Sequence, residues 1–493
     1  MNIINRHFRS GGNPIKTAFS ALSLLLLLSL TSCEDFLTQT PKYNLVKENA
    51  VIDYSTAKNA VNGIYAKLAN NKVLGGEIPA RLAAMAGIHT YVSTEVYYNM
   101  AYRENSSDGS DIWQNLYAVV NASNAAIYGV ENLDDSKFPS AEEKQRLIAE
   151  ARCCRAFAHL QIHWLWSHWW EKADCPYGII YKDAVSDLSN LHLDRLTVGE
   201  SYDRIIEDLE FAEQYLNNFQ TSRYMSRQFA QVLHAKLLLN RGWEGDYAKA
   251  LELVNEVKAA KTDFQLETDL PKVYQQSWDS KDVLFARYLG DYTSTTDYEF
   301  FYSYQLYYTN TLTEIPQEWM EADPRFALIT STGVRAPETW DTERVDKPVY
   351  TKLYHNGRID GKSDAYATYY FRYPELYLME AELKARINPS NVTAALAPLN
   401  ELRGKYVNPE LQPLKATNIN EFYDVLFKEI VVSLCLENGS EWFAALRINK
   451  DGKPWIYTLK PDVSISPDKF CWPIPHSEMI YHTNNILQNP TLE

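Results

Sequence analysis

The most chemically distinctive residue is Cys33, which ends the run Leu30-Thr31-Ser32-Cys33 and could be acylated on its thiol and, once freed, its amine. Three basic residues and no acidic one precede the apolar run at 18–30, the order of a bacterial export signal. That run is shorter than the roughly 20 residues that cross a bilayer. The sequence therefore predicts a lipoprotein signal peptide over 1–32, cleaved before Cys33, and a mature chain anchored by acyl groups to a membrane outside the cytoplasm. A plain secretory signal with a chance cysteine is the alternative.

Two histidines have the spacing of a zinc-binding pair. His159 and His163 are four residues apart in a helical stretch, as in metalloproteases that carry a glutamate directly after the first histidine. Here that position is Leu160, so the general base is missing. The sequence favours packing of both histidines beside the aromatic residues Trp164 and Trp166.

Carboxylates are abundant, but their spacing does not identify a hydrolase. Glycoside hydrolysis needs two carboxylates at a defined separation across a cleft, and a chain with 63 acidic residues contains many chance pairs, for example among Asp291, Asp297 and Glu299. The sequence contains neither a Gly-x-Ser-x-Gly nucleophile motif nor a Gly-rich phosphate loop. We therefore predict neither catalysis nor a cofactor, and we single out no metal ligands.

Aromatic residues in stretches without helical periodicity are the strongest sign of a binding function. The chain has 34 tyrosines and 12 tryptophans, more than a core easily absorbs, because each buried hydroxyl needs a partner. Sugar rings stack their C–H faces on flat side chains, and peptides use similar aromatic grooves. For the run 298–308, a hairpin that packs in the core or contacts a partner protein is the alternative. The predicted ligand-contacting residues are Tyr97, Tyr98, Tyr102, Trp113, Tyr298, Tyr302, Trp319 and Trp340.

The net charge limits the binding partners that the chain could have, and the cysteine content limits its disulfides. The net charge of −15 disfavours nucleic acid and anionic lipid as partners. Five cysteines remain after Cys33 and are predicted to be mostly small buried residues; their disulfide state stays open. They are Cys153, Cys154, Cys175, Cys435 and Cys471.

Helical periodicity covers most of the mature chain and predicts the elements that position these residues. Around the turn at 243–246 the sequence predicts Gly245 as C-cap and Asp246 as N-cap. Periodicity fades over about 71–110 and 262–370, where only short runs such as 283–288 are strand-like. Helices are predicted over about 57–68, 111–131, 140–170, 197–217, 226–242, 247–260, 374–386, 392–403 and 421–436.

Several blocks of the chain resemble the SusD/RagB family of nutrient-uptake outer-membrane lipoproteins. Phe371–Glu382 is similar to the family block Arg-x-Pro-Glu-x-x-Leu-x-x-Ala-Glu, and Ala149–Phe157 is similar to its Ala-Glu-Ala-Arg helix. The chain departs from the family pattern at Glu441 and Ala444, where arginine and aspartate are common, and at Pro398. Further similar blocks, spread over the mature chain, are Cys33–Pro41, Asn400–Arg403, Glu437–Arg447, Trp472–Pro475 and Gln488–Pro490.

The resemblance implies one SusD-like domain over 33–493, mostly α, with a scaffold of tetratricopeptide-like helix pairs and a loop-rich, partly β ligand-binding portion. Family members are lids on SusC-like TonB-dependent outer-membrane transporters, capture oligosaccharides or in some cases peptides, and are not enzymes. We therefore expect an outward-facing outer-membrane lipoprotein whose partners are an oligosaccharide and a SusC-like transporter. A peptide receptor of the same fold, a surface hydrolase and an assembly scaffold remain alternatives.

Overall fold

The computed structural model describes residues 50–70, 72–90, 94–105, 107–188, 190–287, 311–331, 349–350, 352, 368–481 and 486–492. From Val51 onward these residues belong to one compact unit. The predicted signal peptide and Cys33 lie outside the described residues, as do Tyr298, Tyr302 and Trp340.

The described residues are mostly helical, which confirms the predicted fold class. None of their helices combines the length and the apolar character needed to cross a membrane. The strands are β1 (Val283–Ala286), β2 (Thr330–Ser331), β3 (Val349–Tyr350), β4 (Tyr369–Arg372), β5 (Asn449–Lys450) and β6 (Lys453–Pro454). The helices are α1 (Tyr54–Leu68), α2 (Glu77–Ala86), α3 (Glu95–Tyr98), α4 (Ser107–Asn132), α5 (Ala141–Trp166), α6 (Val198–Tyr215), α7 (Arg227–Arg241), α8 (Asp246–Ala259), α9 (Leu270–Gln276), α10 (Glu314–Glu321), α11 (Phe326–Ile329), α12 (Pro374–Ile387), α13 (Val392–Lys405), α14 (Ile419–Leu434), α15 (Ser440–Arg447), α16 (Ile456–Leu459) and α17 (His476–Tyr481).

Neighbouring helices pack as consecutive pairs. Helix α4 packs on α5, α7 on α8, and α12 on α13. The connections within these pairs are short, so the two helices of each pair run antiparallel. Contacts of α5 with α6, α6 with α7, and α8 with α12 join the pairs into one scaffold. The predicted set of antiparallel helix pairs is thus confirmed.

The turn between α7 and α8 differs in detail from the prediction. Gly242 (φ 65°) is the C-cap of α7, and Gly245 (φ 86°) is the N-cap of α8, both in the left-handed region. Asp246 is instead the first residue of α8; its carboxylate accepts a hydrogen bond from the Trp243 N–H at 2.8 Å and pairs with Arg241 at 2.6 Å. Because the Asp246 carboxylate within α8 already accepts the Trp243 N–H, the N-cap position needs no polar side chain, and Gly245 occupies it.

The stretch 71–110, predicted to be irregular, contains the ten-residue helix α2. Every residue of α2 is buried, including Glu77 and Arg81, which form an ion pair at 2.8 Å. Gly75 and Gly76 precede this short helix and Pro79 lies in its first turn, and these residues are typical of a loop when they are met in a sequence.

The small β portion brings distant parts of the chain together. Strands β1 and β4 pair antiparallel with Val283 opposite Arg372, and β2 with β3 and β5 with β6 form two further two-stranded sheets. The predicted strand near 283–288 is confirmed for Val283–Ala286.

Strand β4 carries Arg372 into a buried ion network. Its guanidinium donates to both carboxylate oxygens of Glu437 at 2.9 Å and pairs with Asp282 at 3.1 Å. Lys352 pairs with Glu437 at 3.3 Å. All four side chains are at most 1% exposed, and burial raises the pKa of Asp282 to about 6 even beside Arg372. The network therefore joins β4, β1 and the segment after α14 within the core.

Four of the five cysteines after Cys33 are buried, namely Cys153, Cys154, Cys435 and Cys471, whereas Cys175 is half-buried. Burial raises the pKa of all four buried thiols, that of Cys471 to about 12. The interpretation of these cysteines as mostly small buried residues is confirmed.

A buried carboxylate near the start of α15 should make the stability of the fold depend on pH. The Glu441 Oε1 atom accepts a hydrogen bond from the Leu436 N–H at 3.0 Å, whereas Oε2 has no partner within the part of the chain that the structure describes. Burial raises the pKa of Glu441 from 4.5 to about 7. The folded state thus keeps a proton that the unfolded chain loses, so this contribution to stability falls as pH rises through that window.

We expect the free energy of unfolding of the wild type to fall, relative to that of Glu441→Gln, by on the order of 3 kcal/mol between about pH 4.5 and pH 7.5. Urea unfolding followed by circular dichroism across this range measures the difference. The exposed Glu318 supplies the control, since Glu318→Gln should track the wild type. Parallel pH profiles for the wild type and Glu441→Gln would contradict the prediction.

Candidate functional site

Three of the predicted ligand-contacting residues lie in the core. Tyr97, Tyr102 and Trp113 are 6%, 9% and 3% exposed. The Tyr97 ring lies 5.3 Å from Trp472, and Trp113 lies 5.1 Å from Trp166. Trp472 and Trp166 are themselves 5.3 Å apart, which makes one continuous aromatic cluster. The structure corrects the expectation that these three rings are exposed for stacking on a ligand, because their faces are used for packing.

Tyr98 remains half-buried at the end of α3 and lies beside a buried lysine. The Lys460 Nζ atom donates a hydrogen bond to the Tyr98 carbonyl at 2.9 Å and lies 5.5 Å from the centre of its ring. Burial lowers the pKa of Lys460 to about 7. Partial burial and the negative charge of Asp462 raise the pKa of Tyr98. Lys460 thus holds Tyr98 in place, while part of the Tyr98 ring faces solvent.

Trp319 is the other predicted residue with a partly exposed ring. It lies on α10 and packs edge to face against Trp455 at 5.4 Å and Phe427 at 6.1 Å, and the Lys428 Nζ atom is 5.3 Å from the ring centre. Trp455 directly precedes α16 and Lys460 directly follows it. Tyr98 and Trp319 therefore contact the two ends of the same short segment.

We name this region, formed by Tyr98, Trp319, Lys428 and Lys460, the α16 surface. Sequence reasoning identified its two rings but missed the two lysines. Lys460 is 362 residues from Tyr98 in the chain, and no local pattern joins the two positions. Chemically, the α16 surface offers two partly exposed rings and the exposed Lys428 ammonium, which suit stacking and hydrogen bonding to a polyhydroxylated ligand, while the buried Lys460 holds Tyr98 in place.

The histidine pair packs in the core, as predicted. His159 stacks on Tyr181 with ring centres 4.2 Å apart, and His163 lies 4.3 Å from Tyr202. Burial, with nearby arginines, lowers the pKa of both, that of His163 to about 3. The described residues contain no cluster of three or more side chains suited to hold a metal ion. The ring partners of His159 and His163 are thus Tyr181 and Tyr202 rather than Trp164 and Trp166.

Two family models match separate parts of the chain. A model described as starch-binding and associating with the outer membrane matches residues 35–237, and a SusD family model matches residues 299–491. SusD-like protein P2 of Formosa agariphila is 24% identical over an alignment of 524 residues that covers 95% of this chain and 98% of that protein.

Solved structures share the fold. A SusD superfamily protein from Bacteroides thetaiotaomicron superposes with a TM-score of 0.69 at 19% identity, over 89% of this chain and 100% of its own. A laminarin-binding SusD-like protein superposes with a TM-score of 0.65 at 15% identity, over 89% of this chain and 99% of its own. These superpositions confirm the predicted helical scaffold.

Proposed function

The chain belongs to the SusD family, and on that premise we propose that it captures oligosaccharide outside the outer membrane and passes it to a SusC-like TonB-dependent transporter. The starch-binding description of one matching family model and the laminarin-binding structural relative support carbohydrate as the ligand class. The observation that carries the proposal is the α16 surface, where Tyr98 and Trp319 keep partly exposed rings beside Lys460 and Lys428. Acyl groups on Cys33 hold the protein at the membrane.

A function limited to binding is consistent with the state of Cys435 and His89, a pair that could otherwise supply a nucleophile. The Cys435 Sγ and His89 Nε2 atoms are 3.4 Å apart, the arrangement from which a thiolate nucleophile is made. Both residues are 0% exposed. Burial lowers the pKa of His89 to about 3 and raises that of Cys435, so both groups are neutral at pH 7. A neutral, inaccessible pair supports a structural role.

We expect Tyr98→Ala and Trp319→Ala each to weaken oligosaccharide binding by roughly tenfold or less, and the double variant by more than either. A stacking ring contributes on the order of 1 kcal/mol, which corresponds to slightly under tenfold in affinity. Isothermal titration calorimetry with laminarihexaose and maltohexaose measures the effect. Tyr215→Ala, which removes a half-buried tyrosine from α6, is the matched control and should bind as the wild type does.

Three outcomes would favour the rival functions or another site. Unchanged affinity in the Tyr98→Ala/Trp319→Ala variant would show that the α16 surface is not the binding site. Tight binding of decapeptides but of neither hexaose would favour a peptide receptor. Shortened sugars in the reaction mixture, lost on substitution of a single aspartate or glutamate, would favour a hydrolase.

A further inference from the structure

One cavity lies between α1, the start of α5 and the segment 217–226, and an adjoining one lies between α1, Leu74, Tyr224 and strand β1. Their volumes are about 210 and 260 Å³. Asn62 and Tyr224 line both cavities, so the two form one groove that Tyr224 divides. Together they reach the range of roughly 300–1,000 Å³ that is typical of small-molecule sites. We name this region the Tyr224 groove; of the predicted ligand-contacting residues that the structure describes, none lines it.

The Tyr224 side chain is exposed but held in place. It is 46% exposed, and its ring lies 5.0 Å from that of Tyr65 at an angle of 88°. The Tyr65 hydroxyl donates to Glu150 Oε1 at 2.6 Å and accepts from the Met225 N–H at 2.9 Å. Tyr65 is therefore a positioning residue that fixes both the ring of Tyr224 and the backbone next to it. A preorganised ring loses little conformational entropy when a ligand stacks on it.

Side-chain amides surround this ring. Asn62, Asn217 and Gln220 are exposed and line the groove. Their amides make no hydrogen bond within the residues that the structure describes. Each amide offers both a donor and an acceptor, which matches a sugar hydroxyl, since a hydroxyl also donates and accepts. An exposed tyrosine face with free amides around it therefore has the two features that a sugar residue requires.

The charges of the groove are largely matched internally. Arg146 pairs with Glu143 at 2.8 Å and with Glu150 at 2.7 Å. Lys58 lies 5.0 Å from the Tyr54 ring centre. A phosphate or sulfate group would require arginines free to bind it in bidentate fashion, whereas the Arg146 guanidinium is already bound to two carboxylates. The other arginine of the groove, Arg223, pairs with Asp279 at 3.3 Å. Since both arginines are paired with carboxylates, the groove favours a neutral ligand over an anionic one.

We propose that the Tyr224 groove binds a neutral sugar residue of an oligosaccharide, at a site separate from the α16 surface. Its ligand class rests on the proposed function. The Tyr224 ring stacks on the C–H face of the sugar, and Asn62, Asn217 and Gln220 bond to its hydroxyls. The protein then holds a glycan at two places, one on the helix-pair scaffold and one at α16.

The test combines binding with mapping of the bound segment. Laminarihexaose and maltohexaose are titrated into the wild type, Tyr224→Ala and Tyr224→Phe, and hydrogen–deuterium exchange is followed over 216–226 with and without each sugar. In the wild type the bound hexaose should slow exchange in this segment. Tyr224→Ala should remove that protection and weaken binding at the groove by roughly threefold to tenfold, whereas Tyr224→Phe, which keeps the ring, should retain both. Tyr247→Ala removes a half-buried tyrosine of α8 that lies outside both the groove and the α16 surface and should change neither readout.

The outcomes separate this inference from the proposed function. If a hexaose binds the wild type but leaves exchange over 216–226 unchanged, or protects Tyr224→Ala equally, the groove is not a sugar site while the proposed function stands. If neither hexaose binds the wild type, both proposals fail together. Equal thermal unfolding of all variants shows that loss of protection is not loss of fold.

Discussion

Arg372→Ala is expected to lower the free energy of unfolding by about 3–5 kcal/mol, the usual cost of breaking a buried ion pair from one side. Glu437 would keep Lys352 at 3.3 Å, but Asp282 would lose the ion-pair partner that it has among the described residues. The Ser433 carbonyl would also lose the guanidinium hydrogen bond at 2.6 Å. Because all these groups are buried, water cannot replace the lost partner without opening the core.

Urea unfolding at pH 7, followed by circular dichroism, measures this loss. Arg204→Ala is the matched control, because its pair with Asp183 is exposed, with side chains 42% and 54% accessible. An exposed pair of this kind contributes about 1 kcal/mol or less. Similar losses in the two variants would show that burial of the Arg372 network adds nothing to stability.

Cys33→Ala is expected to abolish acylation and to move the protein from the membrane fraction to the soluble fraction. Each buried methylene of an acyl chain contributes about 0.8 kcal/mol, so two or three chains anchor a protein almost permanently, and their loss leaves no comparable attachment. Incorporation of labelled fatty acid, with fractionation of the cells, measures the change. Cys175→Ala, which removes a half-buried cysteine elsewhere in the chain, should remain acylated and membrane-bound. Equal labelling of the wild type and Cys33→Ala would exclude lipidation at this residue.

The helical scaffold could be predicted because its helices carry a one-sided apolar pattern and clear boundary residues. Thr197 and Glu200 form a capping box at the start of α6, and the Asn391 side chain caps α13. Helix α2 gave no such signal, because Gly75 and Gly76 before it and Pro79 in its first turn are typical of a loop. Helix α7 is mostly buried as well but is longer and has clear boundary residues, so length and boundaries, rather than exposure, decided which helices could be predicted.

The candidate site was only partly predictable, because its residues come together only in the folded chain. Aromatic residues are equally suited to a core and to a ligand surface, and only the fold decides between these uses. Trp113 is enclosed by its neighbours on α4 and α5, whereas Tyr98 keeps a partly open ring. Tyr224 shows no signal in the sequence, because its role depends on Tyr65, Glu150 and Met225, which meet only in the folded chain.

Burial of the thiols determines whether they can be oxidised before or after the chain folds. Disulfide exchange proceeds through the thiolate, and a thiol whose pKa is raised by burial forms almost none at neutral pH. Cys153 and Cys154 are adjacent on α5 and are fully enclosed once that helix packs. These thiols are therefore open to disulfide exchange in the unfolded chain and closed to it once folding is complete.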